Sequence, residues 1–95
     1  MNEIHLLIEG RVQHVGFRRF VLRHAELFNL SGWVRNNDDG SVEVFAVGEA
    51  KSIADFVDAC RKGPLFASVF DVQFLPERDQ DKAVYDPAFF KVLYD

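Results

Sequence analysis

The apolar spacing changes period at one point near the N-terminus, and that change constrains the fold more than any other feature. Ile4, Leu6 and Ile8 recur at every second residue, the period of a strand. Phe17, Val21, Ala25 and Phe28 recur at intervals of 4, 4 and 3, the period of a helix. Between them lies Arg11-Val12-Gln13-His14-Val15, bounded by Gly10 and Gly16. The chain therefore runs strand, short turn, helix, and Arg18 sits where the helix starts. A helix N-terminus carries unpaired N–H groups and the positive end of the helix dipole, so it already favours an anion. Arginine adds a planar fork of fixed charge that matches two phosphate oxygens at once. The segment predicts an oxyanion cradle, with His14 in its middle.

The rest of the chain alternates in the same manner. The first strand covers about 3–11 and the first helix about 17–29, which Asn29 and the Ser31-Gly32 pair end. A second strand from Gly32 to Asn36 leads through Asn37-Asp38-Asp39-Gly40, a tight hairpin signal. The third strand alternates Val42, Val44 and Ala46 with Ser41, Glu43 and Phe45, and Gly48 closes it. Ile53, Phe56, Val57 and Cys60 form one apolar stripe on a second helix over about 50–62, stopped by Gly63-Pro64. A fourth strand over about 67–75 alternates Val69, Asp71 and Gln73 with Phe70, Val72 and Phe74. A polar loop over 76–87 precedes a short final strand from Phe89 to Tyr94.

This order predicts the α+β, ferredoxin-like split βαβ plan: βαββαβ plus a short C-terminal strand, with two helices on one face of a mainly antiparallel sheet. No repeat, low-complexity tract or linker divides residues 1–95, so one domain is expected. A crossover helix joins strands one and two, so they run parallel and end at the same edge of the sheet. Asn36 is thereby expected beside the 12–18 turn.

Charge narrows the function. Eleven bases against fifteen acids leave a net charge of −4, which argues against a general binder of nucleic acid or acidic membranes. The charge is uneven: residues 1–36 carry five Arg and three Glu, whereas 37–95 carry six bases and twelve acids. Positive charge thus gathers around the cradle. One cysteine, Cys60, excludes an intrachain disulfide and fits a reducing compartment. The N-terminus lacks a basic n-region and no stretch is long enough to span a membrane, so a small cytoplasmic protein is expected.

Arginine and backbone N–H groups together hold a phosphoryl group and stabilise charge that develops on it. The Asn36 amide is no base at neutral pH, but it holds a water in line for attack. With no Mg²⁺ site, nucleophile or base evident nearby, the substrate has to be intrinsically reactive.

Gly-x-Val-Gln-x-Val-Gly-Phe-Arg at 10–18, Gly-Trp-Val-Arg-Asn at 32–36, Asp-Gly-Ser-Val-Glu at 39–43 and Gly-Pro-x-x-Ala-x-Val at 63–69 closely resemble the acylphosphatase family. The resemblance runs through nearly the whole chain, to Phe-x-Val at 90–92. It implies metal-independent hydrolysis of acyl phosphates to a carboxylate and inorganic phosphate, without a cofactor. Arg18 is the implied phosphate ligand, helped by loop amides over Gln13, His14, Val15, Gly16, Phe17 and Arg18. Asn36 is implied to position the water, and a phosphate oxygen of the substrate to take its proton. The implied partner is a small acyl phosphate, with no nucleic acid and no membrane, and the protein is expected to be a monomer.

His14 departs from the family pattern, in which glycine is usual at this position. If the turn needs φ > 0 there, histidine costs something, though it tolerates that region better than most residues. The imidazole either crowds the cradle or adds a donor that strengthens it at mildly acidic pH. A catalytically weak phosphate-binding or regulatory module, like the acylphosphatase-like domains inside larger carbamoyl-transfer proteins, is therefore the alternative reading. An RNA-recognition module shares the element order but wants exposed aromatics and a basic face, and strand three is acidic. His5, outward on strand one, and His24 on the first helix are surface or packing residues. Cys60 is a small core residue. Trp33, Phe66, Phe70 and Phe74 are core or partly exposed sheet residues. The Asn37-Asp38-Asp39-Gly40 run is no calcium loop, since Arg35 and Ala46 would fill its first and twelfth positions.

Overall fold

The expected order of elements is present in the computed structural model, which describes residues 1–76 and 85–94. It runs β1 (Asn2–Arg11), α1 (Phe17–Leu27), β2 (Ser31–Asn36), β3 (Val42–Gly48), α2 (Ala50–Lys62), β4 (Ser68–Phe74) and β5 (Phe90–Leu93). The polar loop expected over 76–87 falls largely outside the described residues. Among those residues the sheet order is β4-β1-β3-β2-β5. β3 pairs antiparallel with both β1 and β2, so these two strands run parallel on either side of it. β4 is antiparallel to β1, and β5 is parallel to β2. The fold is the ferredoxin-like α+β plan, with two helices over one face of a mixed sheet.

The core fills the space between that face and the helices. Leu6 and Ile8 from β1, Val34 from β2 and Val42 and Val44 from β3 meet Phe17, Val21 and Ala25 of α1 and Ile53, Phe56 and Cys60 of α2. Fully burying a Phe, Leu or Ile side chain contributes about 1.5–3 kcal/mol, so this cluster dominates stability. α1 stops two residues short of the expected limit. Asn29 turns left-handed at φ 60°, Leu30 N–H donates to Ala25 O at 2.8 Å and Asn29 N–H donates to Glu26 O at 3.1 Å. This is a Schellman closure, with asparagine in the place glycine usually takes.

Strand four departs from simple alternation. Asp71 pairs with Glu9 but Val69 pairs with Gly10, so Phe70 is the extra residue of a bulge. The shift lets both Val69 and Val72 face the core and turns Phe70 out, 83% exposed. Gly10 makes the bulge possible: its φ is 132°, and a Cβ there would lie 2.1 Å from the carbonyl oxygen of Ser68. Trp33 is fully buried, whereas Phe66 and Phe74 are exposed.

The face of the sheet away from the helices is also covered at its centre. Glu43 and Phe45, outward residues of β3, are buried, as is Ser41 just before the strand. His5 faces outward as expected but is only 3% exposed, edge-on to Trp33 at 5.8 Å. Trp33 in turn stacks on Phe45, whose ring meets Tyr85 at 5.6 Å.

Candidate active site

The turn from β1 into α1 holds two residues in the left-handed region, His14 at φ 63° and Gly16 at φ 77°, with Val15 between them on the negative side. Alternating φ signs point successive N–H groups into one concavity, a shape that binds anions. Gly16 caps α1, whose first N–H groups have no acceptor within the helix. A Cβ on Gly16 would meet nothing within 4 Å, so conformation and not space favours glycine there. At His14 the same conformation is carried by a residue with a side chain.

The four residues at the helix entrance, His14, Gly16, Phe17 and Arg18, border an open cleft of about 270 Å³, and Asn36 closes it from the end of β2. The topological expectation is met: the parallel run of β1 and β2 brings Asn36 to the turn. The remaining two expected residues are not in the lining. Val15 packs its side chain partly against the core. Gln13 turns the other way, its Nε2 donating to Asn37 O at 2.7 Å and Ser41 O at 2.9 Å. It is a strut from the turn to the β2–β3 hairpin.

Val12, Arg19 and Tyr94 complete the lining and were missed by sequence reasoning. Tyr94 had a usable signal. β5 pairs with β2 in parallel, Arg35 opposite Leu93, so the next residue of each strand, Asn36 and Tyr94, leaves the sheet at the same edge. Arg18 uses this strand end as support. Its Nη1 donates to Leu93 O at 3.3 Å, and its guanidinium lies over the Tyr94 ring at 4.6 Å. No carboxylate is among the described lining residues, which include Arg18 and Arg19. Asn36 Oδ1 is buried and finds no partner among the described residues.

The sequence model of the acylphosphatase family matches residues 4–89. The chain belongs to the acylphosphatase family. It is 45% identical over 78 residues to an acylphosphatase of Nitrobacter winogradskyi, covering 80% of this chain and 79% of that one. With an acylphosphatase of Geobacillus thermodenitrificans it shares 40% identity over 94 residues, 99% of this chain and 96% of the relative. The crystal structure of acylphosphatase from Bacillus subtilis matches with a TM-score of 0.87 at 36% identity, covering 99% of this chain and 100% of that one. Family membership therefore extends over strand, turn and helix alike, and the cleft lies inside the matched acylphosphatase segment except for Tyr94.

Proposed function

We propose that the chain hydrolyses the carboxyl–phosphate anhydride of small acyl phosphates, giving a carboxylate and inorganic phosphate. The observation that carries this reading is the meeting of Arg18 and Asn36 on one cleft beside the start of α1. Arg18 and the N–H groups over 13–18 bind the phosphoryl oxygens and stabilise the charge that builds on them. Leu93 O and Tyr94 hold the guanidinium in place, which limits the entropy lost on binding. The Asn36 amide orients a water in line with the bond to be broken.

The water oxygen forms a new bond to phosphorus, and the bond from phosphorus to the acyl oxygen breaks. Its electron pair leaves on the carboxylate, and a phosphate oxygen takes the water's proton. A carboxylate is a stable leaving group, so the step needs no acid from the protein. The reading is of a monomeric, cytoplasmic hydrolase, and a free, buried Cys60 suits a reducing compartment. No helix among the described residues is long and apolar enough to cross a membrane.

Purified protein is expected to release phosphate from an aryl acyl phosphate without added metal, and Arg18→Ala to lower kcat/KM about a hundredfold or more. An inert wild type overturns the reading. A second reading, a weak phosphate-binding module, rests on the imidazole that His14 brings to the cleft lining where the family usually has glycine. A large gain of activity in His14→Gly over wild type would support it.

A further inference from the structure

Arg35, Asn36 and Asn37 are consecutive, and along an extended chain successive side chains leave opposite faces. Asn36 lines the cleft. Its two neighbours point to the other face, and both donate to the same oxygen: Arg35 Nη2 and Asn37 Nδ2 each lie 3.1 Å from Glu43 Oε1. Glu43 stands directly opposite Arg35 in the β2–β3 register and is 4% exposed. Its second oxygen, Oε2, accepts from Nε2 of His5, which reaches it from β1. Three strands thus converge on one buried carboxylate.

Withdrawing a carboxylate from water costs several kcal/mol, which its partners offset without a reliable net gain. A buried carboxylate held by three side chains fixes geometry more than it adds stability. What it fixes here is the aim of Asn36. With the side chains on both sides pinned to one atom, the backbone at the strand end is held, and with it the direction in which Asn36 leaves the strand toward the cleft.

We propose that Glu43 is the positioning residue for Asn36, with His5 bracing Glu43 from β1. The proposal rests on the assignment of Asn36 to the attacking water. Glu43 bonds His5, Arg35 and Asn37, none of which lines the cleft. The tie of Gln13 to the hairpin uses backbone oxygens of Asn37 and Ser41, not the carboxylate. Asn37 also accepts from Gln13 of the turn, so Glu43 is expected to act on turnover far more than on phosphate affinity.

Glu43→Gln keeps the size and removes the charge. It is expected to lower kcat for acyl phosphate hydrolysis about tenfold, with KM and inhibition by inorganic phosphate within about twofold of wild type. His5→Gln leaves the carboxylate in place and is expected to show the same split with a smaller fall in kcat; it decides the matter if Glu43→Gln does not fold. A second readout needs no turnover: the Asn36 side-chain amide signals in an NMR spectrum, one sharp pair in wild type, are expected to broaden or double in Glu43→Gln. An inert wild type counts against the hydrolase reading, while the amide signals still test Glu43. Wild-type kcat with unchanged Asn36 signals overturns the proposal. So does a parallel loss of kcat and phosphate affinity, the mark of a purely structural role.

Discussion

The guanidinium of Arg18 rests on the ring of Tyr94, 4.6 Å from its centre, so the last strand of the sheet supports a cation at the start of the first helix. A partly exposed cation–π contact is worth about 0.5–1 kcal/mol, which corresponds to about a two- to fivefold effect on binding. Tyr94→Leu is therefore expected to raise KM by that factor in steady-state kinetics and to change kcat little, and Tyr94→Phe to behave as wild type. A collapse of kcat at constant KM in Tyr94→Leu would assign the ring a different role.

His14 holds a left-handed conformation at φ 63°. That conformation costs a residue with a Cβ about 1–2 kcal/mol, of which glycine's greater loss of freedom on folding returns about 0.5–1. His14→Gly should therefore stabilise the protein by about 0.5–1 kcal/mol, a rise in Tm of a few degrees. His14→Val, branched at Cβ, should destabilise it. Thermal unfolding of both variants checks the pair, and a lower Tm for His14→Gly would mean that the imidazole makes a stabilising contact.

Glu43 links stability to acid. Burial alone would push its carboxyl up, but hydrogen bonds from His5, Arg35 and Asn37, with the Arg35 charge, outweigh that and hold it below the ordinary value of 4.5. A depressed folded value means stabilisation present above pH 4.5 and lost as the pH falls through the folded value. Urea unfolding across this range is expected to show a steeper acid loss in wild type than in Glu43→Gln. Asp39, lowered by hydrogen bonds from the Ser41 hydroxyl and N–H, acts in the same direction and leaves the variant a residual acid limb. Equal slopes for the two proteins would mean that the Glu43 carboxylate is not stabilised in the fold.

Cys60 is sealed in the core, and burial pushes its thiol up to about 12. At pH 8 only about one molecule in ten thousand then carries the reactive thiolate. A thiol reagent should leave the native protein unmodified over hours and label it fully in urea. Rapid labelling without denaturant would show that α2 opens readily.

Much of this architecture is legible in the chain, for local reasons. The change of period between Ile8 and Phe17 fixes a strand, a turn and a helix, and the Ile53–Cys60 stripe fixes the second helix. The convergence of Asn36 on the 12–18 turn follows from the handed, parallel crossover alone. What escaped depends on long-range pairing. The bulge that expels Phe70 exists only because β4 meets Gly10 of β1. His5 reads as an outward strand residue, and its burial requires Glu43 from β3 and Trp33 from β2. Tyr94 reaches the cleft only because β5 runs beside β2. Gln13 lies within the cradle motif, yet its side chain serves the hairpin, a choice of direction that no local pattern encodes.

The central claim is that water attacks phosphorus while Arg18 holds the phosphoryl group and Asn36 aims the water. Hydrolysis of an acyl phosphate in ¹⁸O-labelled water tests it most directly, with the products separated and weighed by mass spectrometry after a single turnover. The account predicts one labelled oxygen in the inorganic phosphate and none in the carboxylate, at a rate that falls about a hundredfold in Asn36→Ala. Label in the carboxylate would place the attack on the carbonyl carbon and contradict the account.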